Sequence, residues 1–106
     1  MVTKENFKIL FPFYIAIDNQ DSIIEQGPSI SNIIGEQISR PFFDIFEVKR
    51  PKILTQIYST AAKFENRLIL LECLENKCKF RGQFIKLKND LIHFIGSPWI
   101  TDPNDL

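Results

Sequence analysis

The last third of the chain constrains the fold most. Three apolar runs follow one another with almost no chain between them. "RLILLECL" covers residues 67–74, "CKFRGQFIKLK" covers 78–88, and a third run covers 91–97, with only "ENK" and "ND" as links. Parallel strands need crossovers of about a dozen residues or more, so links this short dictate an antiparallel meander. A sheet of this kind must bury at least one face against another layer.

The first two thirds supply that layer. In "FYIAID", Phe13, Ile15 and Ile17 alternate with Tyr14, Ala16 and Asp18, the period of a strand. The turn formers "DNQDS" follow, then "IIEQG", so residues 13–18 and 22–26 are expected as a hairpin. Pro28 can open a helix because a first-turn N–H is unpaired anyway. In "PSISNIIG", Ile30, Ile33 and Ile34 share a helical face and Gly35 stands at the C-terminal cap. "SRPFFDIF" repeats the device, with Ser39 and Pro41 at its start and Phe42, Ile45 and Phe46 at helical spacing. Pro51 then opens "PKILTQIYSTAAKF", where Ile53, Leu54, Ile57, Tyr58, Ala61 and Phe64 form an apolar stripe. The predicted order is two strands, three helices and three strands. This is an α+β architecture of the PAS kind, a five-stranded antiparallel sheet with helices on one face. The last strand pairs with the first at its centre.

The strands of the meander do not alternate cleanly. Leu68 to Leu71 are consecutive, and Ile92, Phe94 and Ile95 flank His93. Both faces of the sheet are therefore expected to be covered. The second cover would be the N-terminal "NFKILFPF" segment, a second copy of the domain, or both.

Charge and size narrow the function. The 106 residues suit one domain. Lys and Arg number 13, as do Asp and Glu, which leaves no net charge. A nucleic-acid partner is not expected, because such binders carry a basic excess. No apolar run reaches the ~20 residues of a bilayer crossing, so membrane insertion is not expected. The N-terminus lacks a small-residue cleavage site and an acid-free start, unlike a signal peptide. Two cysteines cannot staple a secreted scaffold. A cytoplasmic location is expected.

Three stretches carry a resemblance. "LFPFYIAIDNQDSIIEQGPSI" resembles the opening of the haem-NO-binding-associated domain, the PAS-like module beside the haem sensor of soluble guanylate cyclases. The matching residues are Phe11, Pro12, Phe13, Asp18 and Gly27. "FRGQF" is similar to that family's Lys/Arg-Gly-Gln-Met stretch. "DLIHFIGSPW" is similar to its final strand, through Asp90, Phe94, Gly96, Ser97, Pro98 and Trp99. Two departures stand out: Tyr14 replaces an early His, and His93 replaces a Leu. The resemblance implies a non-catalytic module for dimerisation and signal relay in a multidomain NO/O2-sensing protein. It implies a haem-sensor domain and an output domain in the same protein, here expected to be a histidine kinase, with a guanylate cyclase as the animal counterpart.

Little else in the chain suggests chemistry. The sole histidine, His93, lies among apolar neighbours without the acid partner that a triad needs. The stretch 51–64, where a haem-binding PAS domain usually carries its ligand, has no His, Cys or Met. Cys73 and Cys78 fall on strands at a hairpin and could meet across its turn, but disulfides are uncommon in the cytosol, so the two read as packing or turn residues, not as a flavin or redox site. One His and two Cys fall short of structural zinc. Asp18, Asp21, Glu25, Asp44 and Glu47 read as turn, cap and solvation residues. No catalytic, cofactor or metal site is expected.

The expected organisation is a dimerisation segment over residues 1–12, a PAS-like domain over 13–100 and the start of a linker over 101–106. The expected contact is a symmetric one between homodimer partners, or with a related PAS-like domain. Phe7, Leu10, Phe11 and Pro12 would cross over, with Tyr14, Ala16, His93 and Ile95 on the sheet face. A one-residue slip of register would exchange His93 for Phe94. The alternative function is a PAS sensor holding a small apolar molecule or cofactor in a phenylalanine-lined core.

Overall fold

The computed structural model describes residues 13–86 and 90–99. Strands β1 (Tyr14–Ile17) and β2 (Ile23–Gln26) form the first hairpin, as their alternation predicts. Its turn is held by Asp18, whose Oδ1 accepts from the Gln20 and Ser22 N–H groups at 2.9 and 3.0 Å. Helix α1 (Pro28–Ile34) follows, with proline in its first turn and Gly35 at φ 75° after its end. Then come α2 (Phe42–Ile45), β3 (Phe46–Arg50), α3 (Ile57–Ala61) and a 3-10 turn (Ala62–Phe64). The meander β4 (Ile69–Cys73), β5 (Lys79–Lys86) and β6 (Ile92–Pro98) completes the order.

The sheet has six strands, not five, in the order β2-β1-β6-β5-β4-β3, and every neighbouring pair is antiparallel. The added strand is β3. Its first residue, Phe46, is expected as the end of a helix. Instead α2 stops after one turn, and Phe46 and Val48 turn inward while Lys49 and Arg50 stay exposed. Phe46 pairs with Cys73, and its ring stacks on Phe42 and meets Phe80 edge-on at 6.3 Å. A strand brings this aromatic side chain over the sheet, which outweighs the local helical spacing.

The helix expected over residues 51–64 is also shorter. Its first part folds back along β3, where Ile53 bridges to Val48. Leu54 is consequently 67% exposed, and Gln56 lies in the left-handed region at φ 56°. Only from Ile57 does the chain turn helically, burying Ile57 and Ala61. This short helix is capped from far away. The Asp21 carboxylate accepts the Ile57 and Tyr58 N–H groups at 3.1 and 2.8 Å.

One core joins sheet and helices. Ile15, Ile17, Leu71, Phe80, Phe84 and Phe94 point to the same side as Ile30, Ile34, Phe42, Ile45, Ile57 and Ala61. The phenylalanines pack on one another, with Phe84 and Phe94 edge-on at 5.9 Å. Gly82 of β5 and Gly96 of β6 stand directly opposite each other. A Cβ on Gly82 would collide with the Ile95 carbonyl, and one on Gly96 with the Arg81 carbonyl. Thus two of the quoted stretches, "FRGQF" and "DLIHFIGSPW", meet at a place where only glycine permits the backbones to approach.

The outer edge of β2 is also covered. The Ile23 N–H donates to the Arg40 carbonyl at 2.9 Å, and the Ser39 N–H donates to the Ile23 carbonyl at 2.7 Å. Residues 39–41, expected to start a helix, therefore run as a strap beside the sheet. Buried Gln26 anchors it. Its Nε2 donates to Ser31 Oγ and the Gly35 carbonyl, and its Oε1 accepts the Gln37 N–H at 2.8 Å.

Candidate functional site: the second face of the sheet

The strand register decides which residues share the face turned away from the helices. Tyr14 lies opposite Ile95, and Ala16 lies opposite His93. On the far side of β6, Ile95 lies opposite Gln83 and His93 opposite Ile85. On the near side of β1, Ala16 lies opposite Glu25. Tyr14, Ala16, His93 and Ile95 therefore form one patch on the neighbouring strands β1 and β6, and Phe94 points into the core instead. Phe7, Leu10, Phe11 and Pro12 lie outside the described residues.

The patch is already closed at its centre. Tyr14 and Ala16 are fully buried and His93 is 3% exposed. Ile85 and Ile95 at its rim are only partly buried. Towards β3 the same face becomes charged, with Glu47, Lys49, Glu72, Lys79 and Arg81. There Lys49 Nζ sits 3.6 Å from Glu47 and 3.9 Å from Glu72. The exposed Lys49–Glu47 pair contributes little to stability, while the Glu72 side chain is more deeply set, at 14% exposure.

A polar group is set into the apolar half. Tyr14 Oη donates to Glu25 Oε2 at 3.2 Å, and the Tyr14 ring stacks on His93 with centroids 6.1 Å apart. Burial, reinforced by the Glu25 charge and hydrogen bond, pushes the Tyr14 phenol up to about 12. Burial also lowers His93 below the usual imidazole value, and the opposing attraction of Glu25 is the smaller effect. At neutral pH the patch therefore holds a neutral phenol and a neutral imidazole.

The composition of the chain gives His93 no acid partner, whereas the fold supplies one nearby. Glu25 is missed because the β1–β2 register shifts between Ala16 and Ile17. A bulge of that kind reverses which β2 side chains share a face with β1, and no sequence signal marks it. Asp18 and Asp21 behave as turn and cap residues, Asp18 holding the hairpin and Asp21 capping α3, whereas Glu47 lies in β3 beside Lys49. Among the described residues, no three His, Cys, Asp or Glu side chains gather as a metal site.

His93 does not fit the part of a haem ligand. An axial histidine must project into an apolar pocket wide enough for the macrocycle. His93 projects from the opposite side of the sheet to the phenylalanine core, against Tyr14. No described helix is long and apolar enough to cross a membrane.

Comparison with known proteins agrees with the first quoted stretch. The chain matches the family model "Heme NO binding associated" over residues 1–79. The match includes β1 through β4, and the strands carrying "FRGQF" and "DLIHFIGSPW" lie almost wholly beyond it. A search of curated proteins gave no match. The family match extends over well more than half of the chain, and the chain belongs to the heme NO binding associated family, whose domains accompany haem-based NO-sensing proteins.

Proposed function

We propose that this chain is a non-catalytic, PAS-like dimerisation and relay module of a multidomain NO/O2-sensing protein in the cytoplasm. Its upstream neighbour would be a haem sensor and its output a histidine kinase. Family membership supports the sensing context. The strand order supports the PAS comparison. Within β2-β1-β6-β5-β4 the first and last strands lie side by side at the centre, and β3 is an addition at one edge.

The observation that carries the relay reading is the apolar patch on β1 and β6. Those neighbouring strands are the first and the last of the described fold, so a contact there would touch both ends of the domain at once. The contact would be symmetric, with the same patch on both partners. Tyr14, Ala16 and His93 have almost no surface left to lose. The area gained on pairing would come from Ile85 and Ile95 at the rim and from Phe7, Leu10, Phe11 and Pro12. Tyr14 and His93 would then shape the seat of the contact.

Mass in solution across a dilution series tests this. The wild type is expected to be dimeric at about 50 μM, where an interface of ordinary strength is populated. Phe11→Asp and Ile95→Asp should both be monomeric there, because each places a charge in the contact. A wild type that stays monomeric at that concentration would overturn the reading.

A further inference from the structure

The β4–β5 hairpin brings together the two cysteines of the chain. The Cys73 N–H donates to the Cys78 carbonyl at 2.8 Å, and the Lys77 N–H donates to the Cys73 carbonyl at 2.9 Å. Cys73 thus bonds to two successive residues, its carbonyl to Lys77 and its N–H to Cys78, with Lys77 left-handed at φ 62°, the arrangement of a bulge at the end of the hairpin. The next rung, Glu72 opposite Lys79, fixes that register. The Cys78 N–H donates instead to Asn76 Oδ1, so one of the two hydrogen bonds of a regular rung links the cysteines and holds their backbones side by side. Backbones this close bring Cα atoms within the ~7 Å that a disulfide spans. The two thiols differ in access, since Cys73 is buried and Cys78 is exposed.

The geometry points to a reversible dithiol–disulfide site formed by Cys73 and Cys78, oxidised by hydrogen peroxide and reduced by small thiols. Cys78 reacts first because peroxide can reach it. Its sulfur, having lost its proton, attacks one peroxide oxygen. The O–O bond breaks, and the departing hydroxide takes up a proton as water. Cys78 is left as a sulfenic acid. The Cys73 sulfur then attacks the Cys78 sulfur. An S–S bond forms, the S–O bond breaks, and the second hydroxide leaves as water with the Cys73 proton. Two thiols and one peroxide become one disulfide and two waters, and the two electrons pass from sulfur to oxygen.

The site is tied to the rest of the fold. Asn76 of the loop donates through Nδ2 to the Ile33 carbonyl of α1 at 3.0 Å, and its Oδ1 accepts the Cys78 N–H at 2.9 Å. The Leu74 N–H donates to the Ile45 carbonyl at 2.9 Å. A change at the two cysteines thus reaches α1 and α2.

The test treats the folded chain with hydrogen peroxide, then with an alkylating agent, and reads intact mass and the map of peptides holding residues 73–78. The wild type should lose the mass of two hydrogens and take no alkyl group, and dithiothreitol should restore both thiols. Cys78→Ser should show no such loss. Cys73→Ser should retain an oxygen on Cys78, trapped by a sulfenic-acid reagent. The wild-type map needs no variant to fold. Two alkylatable thiols after a peroxide dose that oxidises Cys78 in C73S, or a bond found only between chains, would overturn the inference.

Discussion

At the scale of single residues, two side-chain choices carry physical consequences that can be measured. The Gly82–Gly96 rung leaves no space for a methyl group, because the neighbouring carbonyls of Ile95 and Arg81 occupy it. Gly82→Ala should cost about 2–3 kcal/mol, as overpacking of a tight site does. A urea denaturation series would show the midpoint fall with little change in slope. His93 is the second. Its folded value lies below the ordinary 6.5, mainly through burial. The unfolded chain therefore binds this proton more readily than the fold does. Stability from the neutral ring is fully present above about pH 6.5 and is lost as pH falls through the lower folded value. Denaturation midpoints between pH 7.5 and 5.5 should fall more steeply for the wild type than for His93→Phe. Parallel curves would show that the ring is not desolvated. The role of glycine was readable only as a quoted likeness in the sequence. Its cause, the contact between two backbones, requires the strands to be paired first.

At the scale of elements, legibility follows the range of the forces involved. Helix α1 was readable because its signals are local: Pro28 at the start, Gly35 at the end and an apolar face between them. Helix α3 was misjudged because its start is set by Asp21, which is distant in sequence and adjacent in space. Asp21→Ala removes acceptors from two N–H groups and should cost about 1–2 kcal/mol, the usual range for a lost cap. Hydrogen exchange should show faster protons at Ile57 and Tyr58 in that variant. Strand β3 was missed because alternation over "FEVKR" is short and adjoins residues at helical spacing. The strap over β2 depends on Gln26, whose amide reaches Ser31, Gly35 and Gln37. Gln26→Ala should accelerate exchange at Ile23 and Ser39 by loosening the strap before the sheet itself opens.

At the scale of the whole molecule, the sheet separates a helix-covered phenylalanine core from a second face that is half apolar and half charged. Within that core the phenylalanine rings pack on one another. The purified domain should accordingly show no absorption beyond its aromatic residues. A stoichiometric chromophore would favour a ligand-sensing domain over a relay module. The sequence by itself determined the α+β class, the antiparallel meander and the first hairpin. Short links and period-two alternation act between near neighbours and are present before distant parts of the chain meet. It also groups Tyr14 with Ala16 and His93 with Ile95, because parity within a strand is local, but leaves open which parities share a face. That β3 joins the sheet, that a bulge brings Glu25 to Tyr14, and that Ala16 lies opposite His93 are set by the folded chain. Those outcomes depend on pairing between strands, where a shift of one residue exchanges every side chain between core and surface.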